Sequence, residues 1–343
     1  MRALVAITVT VSILLTQAPR ARADDAWTGN IVEEDDFWAP DNRDRHYTHG
    51  IRFSATSGDV HEPTWQAPFD WLASGLPIFA GGGDPGVVRR YNLSFGQNIY
   101  TPENGGLVNP DPRDRPYAGW AYGGLSLMQD TNAEQYEELA LKLGLVGPGS
   151  LANQVQTKFH LLINVATFRG WHAQLHNEPT LDLFYTRKWR FWQAIGEDRD
   201  WGWDAIPEAS ARVGNVYDYL AGGGMIRLGR NLRVDYGPPH VDLNNGSEYI
   251  NPDRADVEGI GFYVFLGAEG RAVARNIFLD GNSFKASASV DKLPVVGDLE
   301  SGLAGTWGHW RLAYTYVYRS QEFIHQNAPD HYGSLNLTFR ASF

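Results

Sequence analysis

Four consecutive acidic residues stand near the start of the chain, and two aromatic residues follow them. The acidic residues are Glu33, Glu34, Asp35 and Asp36. Carboxylate oxygens at such close spacing suit a hard cation such as Ca²⁺. The run lacks the spacing of an EF-hand loop, so a solvated run of charge at the end of a strand is the alternative interpretation.

A second candidate for chemistry is His160, which falls on a predicted helix over residues 150–165. Ser150 follows Gly147-Pro148-Gly149 and is a typical N-cap residue. Polar side chains recur at helical spacing along one stripe of this segment: Asn153, Gln156, His160 and Asn164. Because imidazole titrates near neutral pH, His160 could act as a general base. A purely structural histidine is the alternative.

Other catalytic signatures are missing from the sequence. The chain has no cysteine, which excludes a thiol nucleophile and a disulfide framework. It has no G-x-S-x-G nucleophile elbow and no H-E-x-x-H zinc motif. Signatures of a protein nucleophile or of a zinc site are therefore weak in this sequence.

The last twelve residues give the first indication of the fold that must position these side chains. One face of the alternating pattern carries Leu335, Leu337, Phe339, Ala341 and Phe343. The other face carries Ser334, Asn336, Thr338, Arg340 and Ser342. Such alternation, ending in a terminal aromatic residue, is typical of the closing strand of an outer-membrane β-barrel. An amphipathic strand of a soluble sheet is the alternative.

The start of the chain reads as a secretory signal peptide. Arg2 precedes the apolar run Leu4–Leu15, and Ala21-Arg22-Ala23 fits a small-x-small cleavage site. We therefore predict a signal peptide over residues 1–23 and one outer-membrane β-barrel domain over residues 24–343. No later stretch is long and apolar enough to span a membrane as a helix, which favours strands as the spanning elements.

Period-2 alternation recurs along the chain and predicts an all-β fold, a transmembrane antiparallel barrel. In Tyr47–Thr56, for example, Tyr47 shares a face with Ile51 and Phe53, and Thr48 shares the other with Arg52 and Ser54. The length allows roughly 10–14 strands. Further strands are predicted at 27–34, 90–100, 137–146, 181–192, 207–213, 222–228, 261–268, 284–290 and 311–318. The helix at 150–165 would then plug the lumen or cover a loop.

Composition agrees with a barrel. The chain has 12 Trp, 16 Tyr and 16 Phe, which suits aromatic girdles at two membrane interfaces. Its formal net charge of −11 argues against nucleic acid as a partner. An acidic surface can instead hold divalent cations.

Several motifs, in order, resemble those of one family, the outer-membrane lipid A 3′-O-deacylases (LpxR-like). The N-terminal motifs are Glu33-Glu34-Asp35-Asp36-Phe37 and Asp44-Arg45-His46-Tyr47-Thr48-His49-Gly50. The central motifs are Gly96–Pro102, Asp114–Trp120, Gly144–Gly149, Gln156–His160 and Gly170–Leu175. The last are Gly281–Phe284, Val290–Lys292 and Glu322-Phe323. The resemblance covers nearly all of the predicted mature chain.

The resemblance implies a 12-stranded barrel whose site lies near the outer leaflet, between the barrel wall and a loop helix. It implies Ca²⁺-dependent hydrolysis of the 3′-acyloxyacyl ester of lipid A in lipopolysaccharide. We expect the protein to be embedded in the membrane as a monomer. His160 matches the family's catalytic histidine, the base for water. Asp35 and Thr48 match residues that line the site, and Gln156 lies one helical turn before His160. We expect Glu34 and Asp35 to hold the Ca²⁺.

Two positions depart from the family pattern. Glu34 replaces an asparagine, which adds a negative charge beside Asp35. The loop after Pro102 reads Glu103-Asn104-Gly105-Gly106-Leu107, without the basic residues that can grip the phosphates of lipid A. An outer-membrane phospholipase or other lipid esterase, and a non-enzymatic barrel or pore, are therefore the alternative functions.

Overall fold

The structure, a computed structural model, describes residues 26–39, 44–196, 201–241, 247–250 and 260–341. The predicted signal peptide and the terminal Phe343 lie outside these ranges. Thirteen strands lie within these ranges. They are β1 (Trp27–Asp35), β2 (His46–Thr56), β3 (Val87–Thr101), β4 (Ala118–Thr131), β5 (Gln135–Val146), β6 (Glu178–Trp189), β7 (Phe191–Ile195), β8 (Trp201–Gly214), β9 (Tyr217–Arg230), β10 (Gly261–Asn276), β11 (Val295–Trp307), β12 (Trp310–Arg319) and β13 (Asp330–Ala341).

The strands close into an antiparallel barrel in which nearly every strand pairs with its neighbours in sequence. β1 pairs with both β2 and β13, which joins the two ends of the chain. β6 and β7 are separated only by Arg190 and both pair with β8, so together they form one interrupted strand of the barrel. If β6 and β7 are counted as one, the result is a closed barrel of 12 strands. This number lies within the range that the length allows and is the number that the family resemblance implies.

Alternation along the strands divides apolar from polar side chains. On β3 the exposed Leu93 and Phe95 point outward, whereas the buried Asn92 and Ser94 point into the lumen. An apolar exterior with a polar interior is the pattern of a barrel in lipid. The apolar face of the predicted closing strand follows the same rule, because Leu337 is exposed and Asn336 is buried.

The lumen is filled by polar contacts rather than open. Residues 231–241 and 247–250, which follow β9, fold back into the barrel. There Asp235 accepts hydrogen bonds from Arg227 and Arg311, and Glu248 pairs with Arg52. Buried charges need such partners, because an isolated charge would lose its hydration. This filling argues against the pore interpretation.

Three α-helices lie in the described ranges: α1 (Pro63–Gly75), α2 (Ala152–Ile163) and the short α3 (Ile277–Asp280). The sequence predicts α2 but not α1. α2 does not plug the lumen. It packs on the outer side of the wall against β3 and β4, where it also covers part of the loop between β1 and β2. None of the helices within the described ranges is long and apolar enough to cross a membrane.

One predicted strand is wrong. Residues 284–290 alternate in sequence but form a largely exposed loop after α3, and the strand of this region is β11. Phe284 is the only large apolar side chain of the 284–289 stretch, so the stretch offers little to bury against lipid. The sequence also leaves β4 unassigned, because its central Gly123-Gly124 interrupts the alternation.

Candidate functional site

A pocket of about 320 Å³ lies outside the barrel wall, under α2. We call it the wall pocket. Four side chains predicted from the sequence line it: Asp35, Thr48, Gln156 and His160. The remaining lining residues are Asp36, Phe37, Asp44, His49, Ile99, Val155, Phe159, Ile163, Val165 and Ala166. The structure therefore brings together Asp35 and His160, which are 125 positions apart in the chain.

Thr48 reaches the pocket because β2 contains a bulge. The pairing of β2 with β3 shifts between Tyr47 and His49, so Thr48 is the extra residue. A bulge of this kind breaks the alternation locally. Tyr47 consequently faces the lumen, where it hydrogen-bonds Glu34, and Thr48 faces outward with its Oγ1 2.6 Å from Oγ1 of Thr101. The sequence pattern predicted the opposite faces for Tyr47 and Thr48.

Small residues bring α2 close to the wall. Gly147 has a φ of +99°, and a Cβ there would lie 2.5 Å from the carbonyl of His176. A Cβ on Gly119 of β4 would lie 2.1 Å from Cβ of Ala152, the first residue of α2. Glycine is thus needed at both positions for the loop to turn and the helix to dock. Docking turns Gln156 inward toward the pocket.

His160 lies one helical turn after Gln156 and is held by two contacts. Its Nδ1 is 2.7 Å from the carbonyl oxygen of Ala166, so Nδ1 donates a hydrogen there. Its Nε2 is 3.0 Å from Oδ2 of Asp44. A hydrogen bond between Nε2 and Oδ2 needs one proton, carried either by the imidazole or by the carboxyl group of Asp44. His160 thus lines the pocket with its Nε2 directed at Asp44.

Gln156 is almost fully buried and only half satisfied. Its Oε1 accepts a hydrogen bond of 3.0 Å from the indole of Trp171, which fixes the amide orientation. Its Nε2 is buried and has no hydrogen-bond partner in the described residues. A buried N–H group without a partner costs free energy, so this donor is available for an oxygen atom in the pocket.

Three carboxylates meet on the other side of the pocket. Burial raises the pKa of Asp36 well above its usual value, and the charges of Asp35 and Asp44 add to the shift. Burial also raises the pKa of Asp44 to about 6, an effect that His160 opposes and Asp35 reinforces. Oδ1 of Asp44 is buried without a hydrogen-bond partner. Oxygen donors that crowd and repel one another are the environment in which a hard cation binds.

Glu34 does not join this group. On β1 it points into the lumen, where its Oε1 accepts a hydrogen bond of 3.0 Å from the backbone of Val241 and lies 2.9 Å from Nδ1 of His240. Asp35, the next residue, points outward. The expectation that Glu34 and Asp35 share one cation therefore disagrees with the geometry, because successive residues of a strand face opposite sides.

His49 forms a further cluster beside the pocket. Its Nδ1 lies 3.2 Å from Oδ2 of Asp35 and 3.4 Å from Oε1 of Glu33. The three side chains could together ligate a metal by distance alone. A histidine nitrogen is a poor ligand for Ca²⁺, which prefers oxygen, so this set suits an ion pair better than a calcium site.

Sequence reasoning missed Asp36 and Asp44 as site residues. Asp36 was part of the acidic run, and Asp44 opens the second N-terminal motif, but neither pattern indicates which side chains turn outward. The loop between β1 and β2 decides this: Oδ2 of Asp36 accepts a hydrogen bond of 2.9 Å from the backbone of Arg45, next to Asp44.

Comparison with known proteins agrees with this barrel fold. A family model described as outer membrane protein LpxR matches residues 4–341. LpxR from Salmonella typhimurium has a similar structure, with a TM-score of 0.71 and 18% identity, over 91% of this chain and 99% of that chain. No curated protein sequence matches.

Other barrels are more distantly similar. The β domain of the Bordetella autotransporter BrkA has a TM-score of 0.42 and 10% identity, over 94% of this chain and 100% of that chain. It supports no argument about this chain. The family match over almost the entire sequence, together with the barrel, identifies the chain as an integral outer-membrane protein that belongs to the LpxR family.

Proposed function

We propose that this protein is a Ca²⁺-dependent lipid A 3′-O-deacylase, with His160 as the general base. The family assignment supports an outer-membrane enzyme that deacylates lipid A. The single observation that carries the finer proposal is the wall pocket, which opens beside lipid and holds a histidine, an unpaired amide donor and three carboxylates. The substrate class is an ester of lipid A in lipopolysaccharide.

The base role of His160 follows from its contacts. Nδ1 donates to Ala166, so a neutral imidazole carries its lone pair on Nε2. Nε2 accepts a proton from a water molecule as that water attacks the ester carbonyl. The proton then passes to the oxygen of the leaving alcohol when the acyl carbon–oxygen bond breaks. The products are a free acyloxyacyl acid and lipid A with a 3′-hydroxyl group.

Gln156 supplies the complementary charge stabilisation. Attack by water places negative charge on the carbonyl oxygen, and a prepositioned N–H donor stabilises that oxygen. Nε2 of Gln156 is oriented by the Trp171 contact and has no competing partner among the described residues. Thr48, which hydrogen-bonds Thr101, lines the same pocket and orients water or the carbonyl.

Asp35, Asp36 and Asp44 are the residues that fit a calcium ion. All three line the wall pocket, and Oδ1 of Asp44 is buried without a partner in the described residues. When bound, Ca²⁺ supplies a Lewis acid for the developing oxyanion and neutralises these carboxylates. Of the two ligands expected from the sequence, Asp35 belongs to this set. Glu34 faces the lumen, and Asp36 and Asp44 take its place.

The acyl chain is accommodated by the outer surface of α2. Phe159, Leu161 and Leu162 are exposed beside the pocket. In a membrane these side chains contact lipid, so an acyl chain reaches Nε2 of His160 without leaving the apolar layer. This arrangement suits hydrolysis of a lipid ester within the membrane plane.

The loop after Pro102 favours one second candidate, a phospholipase. In the structure Glu103 of this loop pairs with Arg45 at 2.6 Å and also accepts from Asn327. The loop thus presents no cation to the phosphates of lipid A. A substrate with a single phosphate would place less demand on this loop.

Mass spectrometry of purified lipid A after incubation with the refolded protein tests both candidates. Loss of the 3′-acyloxyacyl group with Ca²⁺, but not with EDTA, is the expected result. Phosphatidylethanolamine in a parallel reaction distinguishes the phospholipase. A folded barrel that acts on neither lipid in the presence of Ca²⁺ contradicts the proposed function.

A further inference from the structure

A row of polar side chains crosses the outer face of the barrel near the rim opposite the wall pocket. Arg89, Gln129, Glu137 and Arg187 are paired residue by residue across β3, β4, β5 and β6. All four point outward by strand alternation, toward the side that faces lipid elsewhere on the wall. Yet Arg89 is only 2% exposed, and Gln129 and Glu137 are each 1% exposed.

The segment around α1 covers this row from the outside. Arg89 lies over the ring of Phe69 at 4.9 Å and pairs with Asp70 at 2.7 Å. The amide of Gln129 donates to the carbonyl of Ala80, and Glu137 accepts from the backbone of Phe79. α1 therefore rests on the membrane side of the wall and not beneath the lumen.

The next rows of outward side chains toward the pocket are apolar. They show where α1 lies relative to the lipid-facing band of the barrel. Tyr91, Leu127, Leu139 and Tyr185 are mutually paired in the first of these rows. Leu93, Leu125, Leu141 and Leu183 form the next, and all of them are exposed. Two residues along a strand span about 7 Å, so α1 lies at the border of the lipid-facing band.

α1 itself is amphipathic, with an apolar side and a polar side. With 3.6 residues per turn, Trp65, Pro68, Trp71 and Leu72 fall on one side, and Gln66, Asp70 and Ser74 on the other. Trp71 is 75% exposed and Trp65 is 60% exposed. Trp65 also contacts Tyr91 edge to face at 5.7 Å, and the Tyr91 hydroxyl donates to the Trp65 carbonyl. The apolar side of α1 thus continues the lipid-facing surface of β3.

Other indoles mark the same level of the barrel. The exposed tryptophans at this rim are Trp27, Trp189, Trp201, Trp203, Trp307 and Trp310. Indole rings concentrate at the border between hydrocarbon and headgroups. Only α1 adds two further indoles outside the strands at this rim, within the ranges that the structure describes.

From these observations we infer that α1 is an interfacial helix that inserts Trp65 and Trp71 into the leaflet opposite the one adjoining the site. Its partner is the phospholipid surface, at the level of the headgroups and upper acyl chains. α1 contains no Lys or Arg, so apolar insertion and not attraction to anionic lipid drives the contact. The inserted helix screens Arg89, Gln129 and Glu137 from the hydrocarbon.

The absence of cysteine from the chain allows a direct test. Trp71→Cys carries an environment-sensitive fluorophore on the apolar side of α1, and Ser74→Cys carries it on the polar side as the matched control. Both proteins are reconstituted into phosphatidylcholine vesicles, and a heat-dependent gel shift verifies that each barrel is folded. Quenching is measured with a nitroxide near the top of the acyl chains and with aqueous iodide.

We expect blue-shifted emission and quenching by the nitroxide at position 71, and red-shifted emission and quenching by iodide at position 74. Equal iodide quenching at both positions would place α1 in water and overturn the inference. Protection of position 71 from both quenchers would mean that protein, such as a second copy of this chain, covers it. Leu76→Cys, at the exposed end of the helix, provides a second probe if labelled Trp71→Cys does not fold.

Discussion

Nε2 of His160 lies 3.0 Å from Oδ2 of Asp44, although the two residues are 116 positions apart. The contact joins the helix outside the wall to the loop between β1 and β2. Asp44 has a pKa raised to about 6, mainly by burial, and its other oxygen has no partner in the described structure. The proposed base and the proposed cation ligands therefore meet at one carboxylate.

His160→Ala should lose most of the deacylase activity while the barrel still folds. General-base catalysis contributes roughly 10²–10⁴-fold to a rate, so kcat should fall by that factor. Release of the acyloxyacyl acid by mass spectrometry measures the change. Lys158→Ala, an exposed residue on the same helix, serves as the control and should leave kcat unchanged. Full activity of His160→Ala would remove the histidine from the mechanism.

Asp44→Asn should mainly weaken the response to Ca²⁺. The substitution removes a negative charge from the carboxylate group at the pocket, so the Ca²⁺ concentration for half-maximal activity should rise by roughly tenfold or more, equivalent to about 1.4 kcal/mol. A calcium titration of the deacylation rate measures this. Asp111→Asn is the matched control, because Asp111 is exposed and pairs with Arg113 outside the pocket. An unchanged calcium response would exclude Asp44 as a ligand.

Gln156→Glu should separate the two functions of this side chain. The carboxylate can still accept from Trp171 but has no N–H group for the oxyanion. Loss of one such donor lowers kcat by roughly 10²–10³-fold. Gln154→Glu, on the exposed side of α2, adds the same charge away from the pocket. If both variants lose activity equally, the effect is one of charge and not of the missing donor.

Glu34→Gln should affect stability and leave the calcium response intact. Glu34 accepts hydrogen bonds from Tyr47 and Val241 on its two separate oxygens in the lumen, and an amide has only one oxygen to accept them. An unsatisfied buried group costs about 1–3 kcal/mol. Unfolding in urea from lipid vesicles, followed by gel shift, measures the loss. A large rise in the calcium requirement would instead support the sequence-based assignment of Glu34 as a ligand.

The sequence by itself determined the features that depend on near neighbours. Alternation predicted most strands and the apolar exterior, because side chains of a strand alternate with a period of two. Helical spacing predicted α2 and placed Gln156 one turn from His160, and the family motifs indicated Asp35 and Thr48. All four line the wall pocket.

Only the tertiary structure decided what depends on pairing and packing. The bulge at Thr48 reverses the faces of Tyr47 and Thr48, since it exists only where β2 meets β3. Glu34 and Asp35 are adjacent in sequence but lie on opposite sides of the wall, and Asp44 reaches His160 only when α2 docks. Polar residues that face outward, such as Arg89, are buried only because α1 covers them. Such burial is a property of the folded chain and cannot be read from a pattern in the sequence.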